Sequence, residues 1–463
     1  MTRITQNVVT FLLYIFALNI AAQSTPHLEG TVFIDMDSGI FKCDVTVSNI
    51  DTLQEYAILL NKGMNIKHFR DRKDKLISYD GFYGAELKGE AIPYFFTDSK
   101  RNKIALPTDF KVSYVGAFPK YSDSYNSFDF KGFIALNDQT IRATEQTKWY
   151  PVIYDKAKDK LINQYTYSLQ IHVKGAKSIF INGAPPKRTS NALFTSSKAV
   201  PLFLFAGDYK FVHKDGNYIL NTDISEKKAG PIFRNTKVVQ QFLEDKLDRT
   251  FTDNIYLINH KAVNKRRKGS SWGFNTYPAF AFTGENFFTT IVEEDGKFSN
   301  GRFRYFAHEF GHNYFGNNVQ SGKLYWFWLE SFPEYLSFTF AEEHGGKDYL
   351  KRVIQSKIKA VKDKEFVPLS KITEANQITG NYRYSMAPLI LFSFDQHFGR
   401  STTYEVLKKL LDMATTETLS LLHFKKAALA SGVKESEYTA FENKYIKSAE
   451  FTQNVISYLE GKL

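Results

Sequence analysis

The sequence predicts a multidomain protein in which an all-β sandwich or saddle domain precedes an α+β domain. The length of 463 residues, with 43% hydrophobic residues, is enough for two or three domains. Apolar and polar residues alternate at 41–48 and at 167–174, which is typical of strands with one buried face. After Gly230–Pro231, a pair that breaks the strand pattern, apolar residues at 238–247 follow helical spacing.

The second half of the chain mixes both patterns. Short apolar runs predict strands at 255–258 and 279–282. Helical spacing predicts helices at 349–360, 385–397, 404–413 and 419–430. We therefore expect a β domain over residues 24–230 and a second domain over residues 231–463.

Two local features of the β domain lead to further expectations. Cys43 alternates with Lys42 and Asp44, which predicts a buried core position rather than a nucleophile. It is the only cysteine, so an intramolecular disulfide is impossible. Asn182–Gly183 follows a short apolar run, and this pair is a strong signal of a β-hairpin turn.

The net charge of +11 raises the question of a nucleic-acid partner. The charges are scattered along the chain, and the dense basic run at 265–268 lies beside Gly269 and two serines, which is typical of a solvated loop. We therefore expect no nucleic-acid role.

The amino terminus has the pattern of a signal peptide over residues 1–23. Arg3 precedes an apolar run at 8–20, which is short for a membrane span, and small residues at 21–22 offer a cleavage region. An uncleaved anchor is the alternative. We expect export to the periplasm or the extracellular space, with no membrane association beyond export. The sequence does not determine the oligomeric state.

The stretch with the most specific chemistry is His308-Glu309-Phe310-Gly311-His312. On a helix, histidines at i and i+4 lie on one face and can hold two positions of a zinc site. The intervening glutamate can act as general base toward water at the metal. The alternative is a helix with two structural histidines. Phe303, Phe306 and Phe310 at helical spacing predict that this helix is buried.

A second helix is predicted to begin close to Glu330 and Pro333, since proline is tolerated in the first turn of a helix. A carboxylate at such a helix start, a short loop after the histidines, suits a third metal ligand. Glu334 lies one turn further on the same face and competes with Glu330 for this role.

Residues 308–335 resemble the aminopeptidase N family of gluzincin zinc metallopeptidases. The motif is followed by Asn-Tyr-Phe-Gly-Asn at 313–317 and by Trp-Leu-Glu-Ser-Phe-Pro-Glu-Tyr at 328–335. The resemblance implies a thermolysin-like catalytic domain with Zn²⁺ on His308, His312 and Glu330. This chain has one residue fewer than the family between His312 and Glu330. We place Glu334 behind the ligands, where it accepts a hydrogen bond from the far nitrogen of a ligand histidine.

Two further segments resemble the family. Trp149-Tyr150-Pro151 resembles a segment of its amino-terminal β domain. Tyr384 begins a run similar to the family's Tyr-x-Lys-Gly segment, whose tyrosine donates to the oxyanion, and Tyr382 is the nearby competitor.

The residue that binds the amino group of the substrate in this family has two candidate positions in this chain. In the family, a strand glutamate binds the free α-amino group of the substrate. Gly-Phe-Asn-Thr-Tyr-Pro at 273–278 aligns with that motif and puts Thr276 in place of the glutamate, whereas Glu285 supplies a carboxylate in the competing alignment. We favour the alignment on Thr276, which leaves Glu285 near the mouth of the site.

The resemblance implies an exported zinc metallopeptidase with aminopeptidase-like activity on peptide or protein substrates. Glu309 would be the base and Tyr384 the oxyanion donor. A zinc endopeptidase that lacks amino-end anchoring is the alternative. A non-catalytic protein that binds peptides or glycans is the third possibility. A metal site without catalytic activity, however, has no chemical need for Glu309 and Tyr384.

Overall fold

The computed structural model describes residues 25–81, 90–121, 129–263, 272–284, 287–316 and 322–462. The predicted signal peptide, the basic run at 265–268 and Glu285 lie outside these residues. Within the described ranges, no helix has the length and apolar composition needed to cross a membrane.

The first part of the chain folds into two β sheets. Its strands, in chain order, are β1 (His27–Asp35), β2 (Ile40–Ser48), β3 (Tyr56–Asn61), β4 (Met64–Arg70), β5 (Leu76–Gly81), β6 (Ala91–Thr97), β7 (Phe110–Ala117), β8 (Ala135–Leu136), β9 (Thr140–Ala143), β10 (Val152–Asp155), β11 (Lys160–Ile162), β12 (Gln164–Lys174), β13 (Ser178–Ile181), β14 (Asn191–Pro201) and β15 (Leu204–Gly207). The larger sheet has the order β11-β10-β3-β6-β5-β4-β7-β2-β1-β12-β14, and the smaller has the order β13-β15-β9-β8.

The alternating pattern correctly predicts which faces of these strands are buried. In β2 the apolar positions, Cys43 among them, point into the core while Lys42 and Asp44 are exposed. In β12 the same alternation buries Tyr167, Leu169 and the apolar residues that follow. Both strands contribute to one apolar core.

The predicted turn at Asn182–Gly183 is present, closed by a hydrogen bond from the backbone N–H of Ala184 to the carbonyl oxygen of Ile181 at 3.3 Å, but no paired strand follows it to complete a hairpin. β13 pairs with β15, and the chain after the turn makes only an isolated bridge between Ile179 and Lys187. The physical reason is tertiary. The buried Asn182 side chain donates hydrogen bonds to the carbonyl oxygens of Pro201, Thr276 and Tyr277, which lie outside its own turn.

The second part contains a mixed five-stranded sheet of β16 (Phe211–Lys214), β17 (Asn217–Leu220), β18 (Tyr256–Asn259), β19 (Gly273–Thr276) and β20 (Ala279–Phe282). The order is β16-β17-β18-β20-β19, with the three inner strands parallel and both edge strands antiparallel to their neighbours.

The helices are α1 (Glu226–Leu247), α2 (Phe287–Thr290), α3 (Asn300–Phe315), α4 (Phe332–Gly345), α5 (Lys347–Val361), α6 (Ala387–Phe398), α7 (Arg400–Met413), α8 (Leu421–Ala430), α9 (Glu435–Glu442) and α10 (Phe451–Glu460). Helices α5 to α8 lie within a few residues of their predicted ranges. The predicted order of a β region followed by a largely helical α+β region is therefore confirmed.

The expected domain limit at residue 230 falls inside α1. That helix continues through Pro231. Proline has no backbone N–H, so the helix lacks one hydrogen bond at this position. Strands β16 and β17 already belong to the five-stranded sheet, so sheet membership favours a limit between β15 and β16. A separate apolar cluster, with Phe180 and Phe203 from the first part and Tyr256 and Phe274 from the second, packs the two parts together.

Candidate metal centre and active-site cleft

Helix α3 carries the two histidines and the intervening glutamate. Its start is capped by Ser299, whose hydroxyl accepts from the backbone N–H of Arg302. Its apolar face lies on the sheet, where Phe310 stacks on Phe280 with ring centres 4.1 Å apart. This packing directs His308 and His312 away from the core and towards a cleft.

Helix α4 packs tightly against α3 and brings the third candidate ligand. A β-carbon at Gly311 would lie 2.9 Å from the Cα of Pro333, so only glycine allows this approach. Glu330 lies in a π-helical turn, Phe327–Ser331, that leads into α4. Its Oε2 atom is 3.5 Å from Nε2 of His308 and 3.5 Å from Nε2 of His312.

These three side chains suit a zinc ion. Zinc bonds of about 2.1 Å in a tetrahedron place neighbouring donor atoms about 3.4 Å apart, which the two histidine–glutamate distances match. All candidate donor atoms lie within 4.8 Å of one another, and all three residues are buried. Burial opposes the charged form of His308, but Glu330 and Glu334 raise its pKa to about 10. The negative charge that attracts this proton also attracts a metal cation.

Glu334 lies behind His308 rather than among the candidate ligands. Its Oε2 atom is 2.8 Å from Nδ1 of His308, the ring nitrogen that faces away from Glu330. Its Oε1 atom pairs with Arg304 at 2.8 Å and with Lys357 at 2.6 Å. Burial by itself would raise the pKa of Glu334. The neighbouring Lys357, His308 and Arg304 nevertheless hold this pKa well below its usual value. The geometry is that expected of a residue that orients a metal-binding imidazole.

Glu309 is a buried carboxyl group with a raised pKa. Burial, and then the negative charge of Glu330, raise the pKa of Glu309 to about 7 despite the opposing effects of His308 and Lys131. Its Oε2 atom is buried without a hydrogen-bond partner in the described residues. A carboxyl group with a pKa near neutrality can both accept and return a proton.

The two candidate tyrosines have different environments. Tyr382 is fully buried, and its hydroxyl donates to the carbonyl oxygen of Val367 at 2.8 Å. Tyr384 lies in the cleft, 36% exposed, with its ring centre 5.8 Å from that of His308. Burial of its hydroxyl and the charge of Glu330 raise the pKa of Tyr384, so the hydroxyl keeps its proton and can donate.

A cleft of about 720 Å³ runs past the metal centre and is lined by both parts of the chain. Thr276, on the edge strand β19, lines it and donates to Oε2 of Glu145 at 2.9 Å. The other oxygen of Glu145 pairs with Lys131 at 2.6 Å. The structure therefore brings Thr276 to the cleft. The position of Glu285 is not described.

Glu145 and Lys131 were missed by the sequence reasoning. They come from the β region, more than 120 residues before Thr276, and no motif marks them. The nearby Trp149-Tyr150-Pro151 segment is the nearest sequence signal, since it resembles a known segment of the family's β domain.

No protein-family model and no curated protein sequence matched this chain. Solved structures with a similar fold were found. A mutant M1 zinc metallopeptidase from Deinococcus radiodurans bound to a Tyr-Ser-Ala substrate is 15% identical, with 90% of this chain and 93% of that chain covered and a TM-score of 0.62. Leukotriene A4 hydrolase from Saccharomyces cerevisiae is 11% identical, with 91% of this chain and 67% of that chain covered and a TM-score of 0.65. This chain therefore has an M1-like fold.

Proposed function

We propose that this chain is a zinc-dependent metallopeptidase that hydrolyses peptide bonds. The observation that carries the proposal is the joint placement of His308, His312 and Glu330 at tetrahedral spacing, with Glu309 beside them. The M1-like fold supports it, because the site and the fold lead independently to the same class of hydrolase.

A zinc ion held by these three residues would supply Lewis-acid polarisation of the scissile carbonyl and a more acidic water. Glu309 takes a proton from the attacking water and later delivers it to the leaving amine. Tyr384 donates a hydrogen bond to the carbonyl oxygen as negative charge develops on it. Glu334 holds the imidazole of His308 in one orientation and one tautomer.

The aminopeptidase-like specificity suggested by the resemblance requires a carboxylate that can receive the ammonium group of the substrate. Within the described lining of the cleft, the carboxylate beside Thr276 is Glu145, and Lys131 already neutralises it. A threonine hydroxyl cannot balance an ammonium charge. This observation favours internal cleavage, and we keep the zinc endopeptidase as the second candidate function.

The test is cleavage of a mixed peptide library by the zinc-loaded protein, with free and acetylated amino ends compared by mass spectrometry. Removal of single amino-terminal residues that acetylation blocks would establish an aminopeptidase. Internal cuts that are indifferent to acetylation would establish the endopeptidase. Absence of any cut by the zinc-loaded protein would refute a peptidase and favour a peptide- or glycan-binding protein.

We also propose that the protein is exported and that residues 1–23 are removed on export. Arg3 near the amino terminus and the apolar run at 8–20 support this proposal. The amino-terminal sequence of the protein recovered from periplasm and from medium tests it. A mature protein that starts at Met1, found inside the cell, would contradict it.

A further inference from the structure

The charged side chains that line the described cleft are not balanced. Two of the carboxylates at the cleft are paired: Glu145 with Lys131, and Glu334 with Arg304 and Lys357. Glu309 also lines the cleft, and its Oε2 atom has no partner among the described residues. Glu330 faces the histidines. Among the lining cations, Lys148 and Arg383 have no ion pair with a described residue; Lys148 donates to the carbonyl oxygen of Glu145. A bound zinc ion would add further positive charge to this surface.

Arg383 is held in place by its backbone and by aromatic stacking. Its carbonyl oxygen accepts from the hydroxyl of Ser331 at 3.0 Å, and its backbone N–H donates to the carbonyl oxygen of Thr379 at 3.0 Å. Its guanidinium carbon lies 4.1 Å from the ring centre of Trp326 and 5.4 Å from that of Tyr384. The cation is therefore fixed beside the metal centre before any substrate binds.

The guanidinium also has unused hydrogen-bonding capacity. Its Nε–H is buried without an acceptor among the residues that the structure describes. Leaving a buried donor unpaired costs free energy, so an apolar side chain would fill the space against Trp326 at lower cost if packing were its only role. A planar guanidinium fork with free donors matches a carboxylate in both charge and shape.

We propose that Arg383 is a substrate-binding residue that receives a carboxylate, so that this peptidase prefers peptides with a carboxylate within one or two residues of the scissile bond. The inference rests on the proposed peptidase function. The carboxylate comes from an acidic side chain or from a free carboxyl terminus, and both present the same planar pair of oxygens to the guanidinium.

The experiment compares short quenched fluorescent peptides that differ only at one carboxylate. One set replaces glutamate by glutamine at each of the two positions on either side of the scissile bond. The other set replaces the free carboxyl terminus by an amide. For the zinc-loaded wild type, we expect kcat/KM to be roughly tenfold to a hundredfold higher for the charged member of at least one pair. The difference should lie mainly in KM.

Two variants and one matched control identify the residue responsible. Arg383→Gln should bring the ratio of kcat/KM for charged and neutral peptides close to one. Arg383→Lys should keep part of the preference, because lysine carries the positive charge but lacks the planar pair of donors. Arg352→Gln is the control, since Arg352 also stacks on an aromatic ring but is exposed on α5 away from the cleft. It should keep the wild-type ratio.

A ratio close to one in the wild type, or a ratio that survives Arg383→Gln, would overturn the inference. In either case, cleavage of the neutral peptides would leave the proposed peptidase function standing. If the zinc-loaded protein cleaves none of the peptides, the proposed function fails. Binding of the same charged and neutral peptides, measured by fluorescence anisotropy, then decides the role of Arg383 alone.

Discussion

At the scale of single residues, Glu309 and Glu334 show how neighbouring groups shift the pKa of one type of side chain in opposite directions. Glu334 contacts Arg304, Lys357 and His308 and keeps its charge at all ordinary pH values. Glu309 is as deeply buried, but it has no such cation pair and its pKa rises to about 7. A permanent charge suits the orientation of an imidazole, whereas a pKa near neutrality suits proton transfer.

Replacement of the proposed base should separate metal binding from turnover. Glu309→Gln keeps the size of the side chain and removes its ability to take a proton. We expect zinc to bind with unchanged stoichiometry while kcat falls by roughly a factor of 10² to 10⁴. Metal analysis and peptide hydrolysis measure the two effects. Full activity in this variant would exclude Glu309 as the base.

Replacement of Glu334, the proposed orienting carboxylate, should affect zinc affinity instead. Glu334→Gln removes the charge that holds Nδ1 of His308, and loss of such a partner weakens metal binding by roughly tenfold to a hundredfold. Competition with a chromophoric chelator measures the affinity. Glu343→Gln, on the same helix but exposed, is the matched control and should bind zinc like the wild type. Equal affinities for both variants would contradict the role of Glu334.

At the scale of elements, two π-helical turns meet at the site. Phe327–Ser331 carries Glu330, and Tyr382–Met386 carries Tyr384. The hydroxyl of Ser331 joins the two turns through the carbonyl oxygen of Arg383. π-Helical turns are rare and often occur at functional sites, where the extra residue changes the direction of the side chains.

The contact between α3 and α4 should depend on Gly311. In Gly311→Ala the new β-carbon would meet Pro333 at 2.9 Å, so one helix must shift. Overpacking of this kind lowers the free energy of unfolding by roughly 1–3 kcal/mol. The higher helix propensity of alanine than of glycine offsets at most about 1 kcal/mol of this loss. The shift also moves Glu330 relative to the histidines, so zinc affinity should fall. Urea unfolding and chelator competition measure the two effects.

The matched control for this prediction is Gly301→Ala on the same helix. No atom lies within 4 Å of a β-carbon built at Gly301. This variant should be at least as stable as the wild type. If Gly311→Ala is equally stable and binds zinc equally well, tight packing of α3 on α4 is not required for the site.

At the scale of the whole molecule, the cleft exists only where the β region meets the helical region. A buried polar network crosses this contact. Arg142 of β9 pairs with Asp129 at 2.8 Å, and its other terminal nitrogen lies 2.7 Å from Nδ1 of His260 in the second part. Asp129 also accepts from the backbone N–H of Val263 at 3.1 Å. Two residues after Asp129, Lys131 donates to the carbonyl oxygen of Asn275 on β19, and Glu145 accepts from Thr276 of the same strand.

This network should make stability depend on pH. Burial, and then the charge of Arg142, lower the pKa of His260 well below its usual 6.5, so His260 is neutral in the folded protein. Below pH 6.5 the unfolded chain binds a proton at His260 that the folded protein does not. The free energy of unfolding should therefore fall as the pH drops, by up to about 1.4 kcal/mol per pH unit from this group.

The difference between wild type and His260→Asn isolates this effect from the other titrating groups. Urea unfolding at pH 7.5, 6.5 and 5.5 should show that the variant loses less stability on acidification than the wild type. His213→Asn, at an exposed position of β16, should retain the wild-type dependence. Parallel curves for wild type and His260→Asn would contradict the assignment.

The features that could be predicted from the sequence depend on residues that are close along the chain. The spacing of His308, Glu309 and His312 on one helix, and the alternation around Cys43, follow from the geometry of a single helix or strand. The same holds for most helices after α4, whose apolar periodicity gives their position within a few residues. Local periodicity therefore predicted the order of the two regions and two of the three candidate ligands.

The tertiary structure decided what depends on residues that are distant along the chain. Periodicity does not distinguish Tyr382 from Tyr384, which only the family resemblance favoured. Packing of their turn places Tyr382 in the core and Tyr384 in the cleft. Asn182 has the sequence of a hairpin turn but binds carbonyl groups almost a hundred residues away. Long-range contacts override local preference because burial and satisfied hydrogen bonds outweigh the small energies of turn propensity.

The sequence by itself therefore determined the proposed reaction chemistry, through a short motif whose helical geometry needs no distant partner. Only the fold decided which substrate charges the cleft can accept. The contact between the two regions places the pair of Lys131 and Glu145 beside Thr276. Packing within the helical region places the cation of Arg383 on Trp326. The net charge of a cleft depends on every segment that lines it, so it cannot be predicted from any one stretch of sequence.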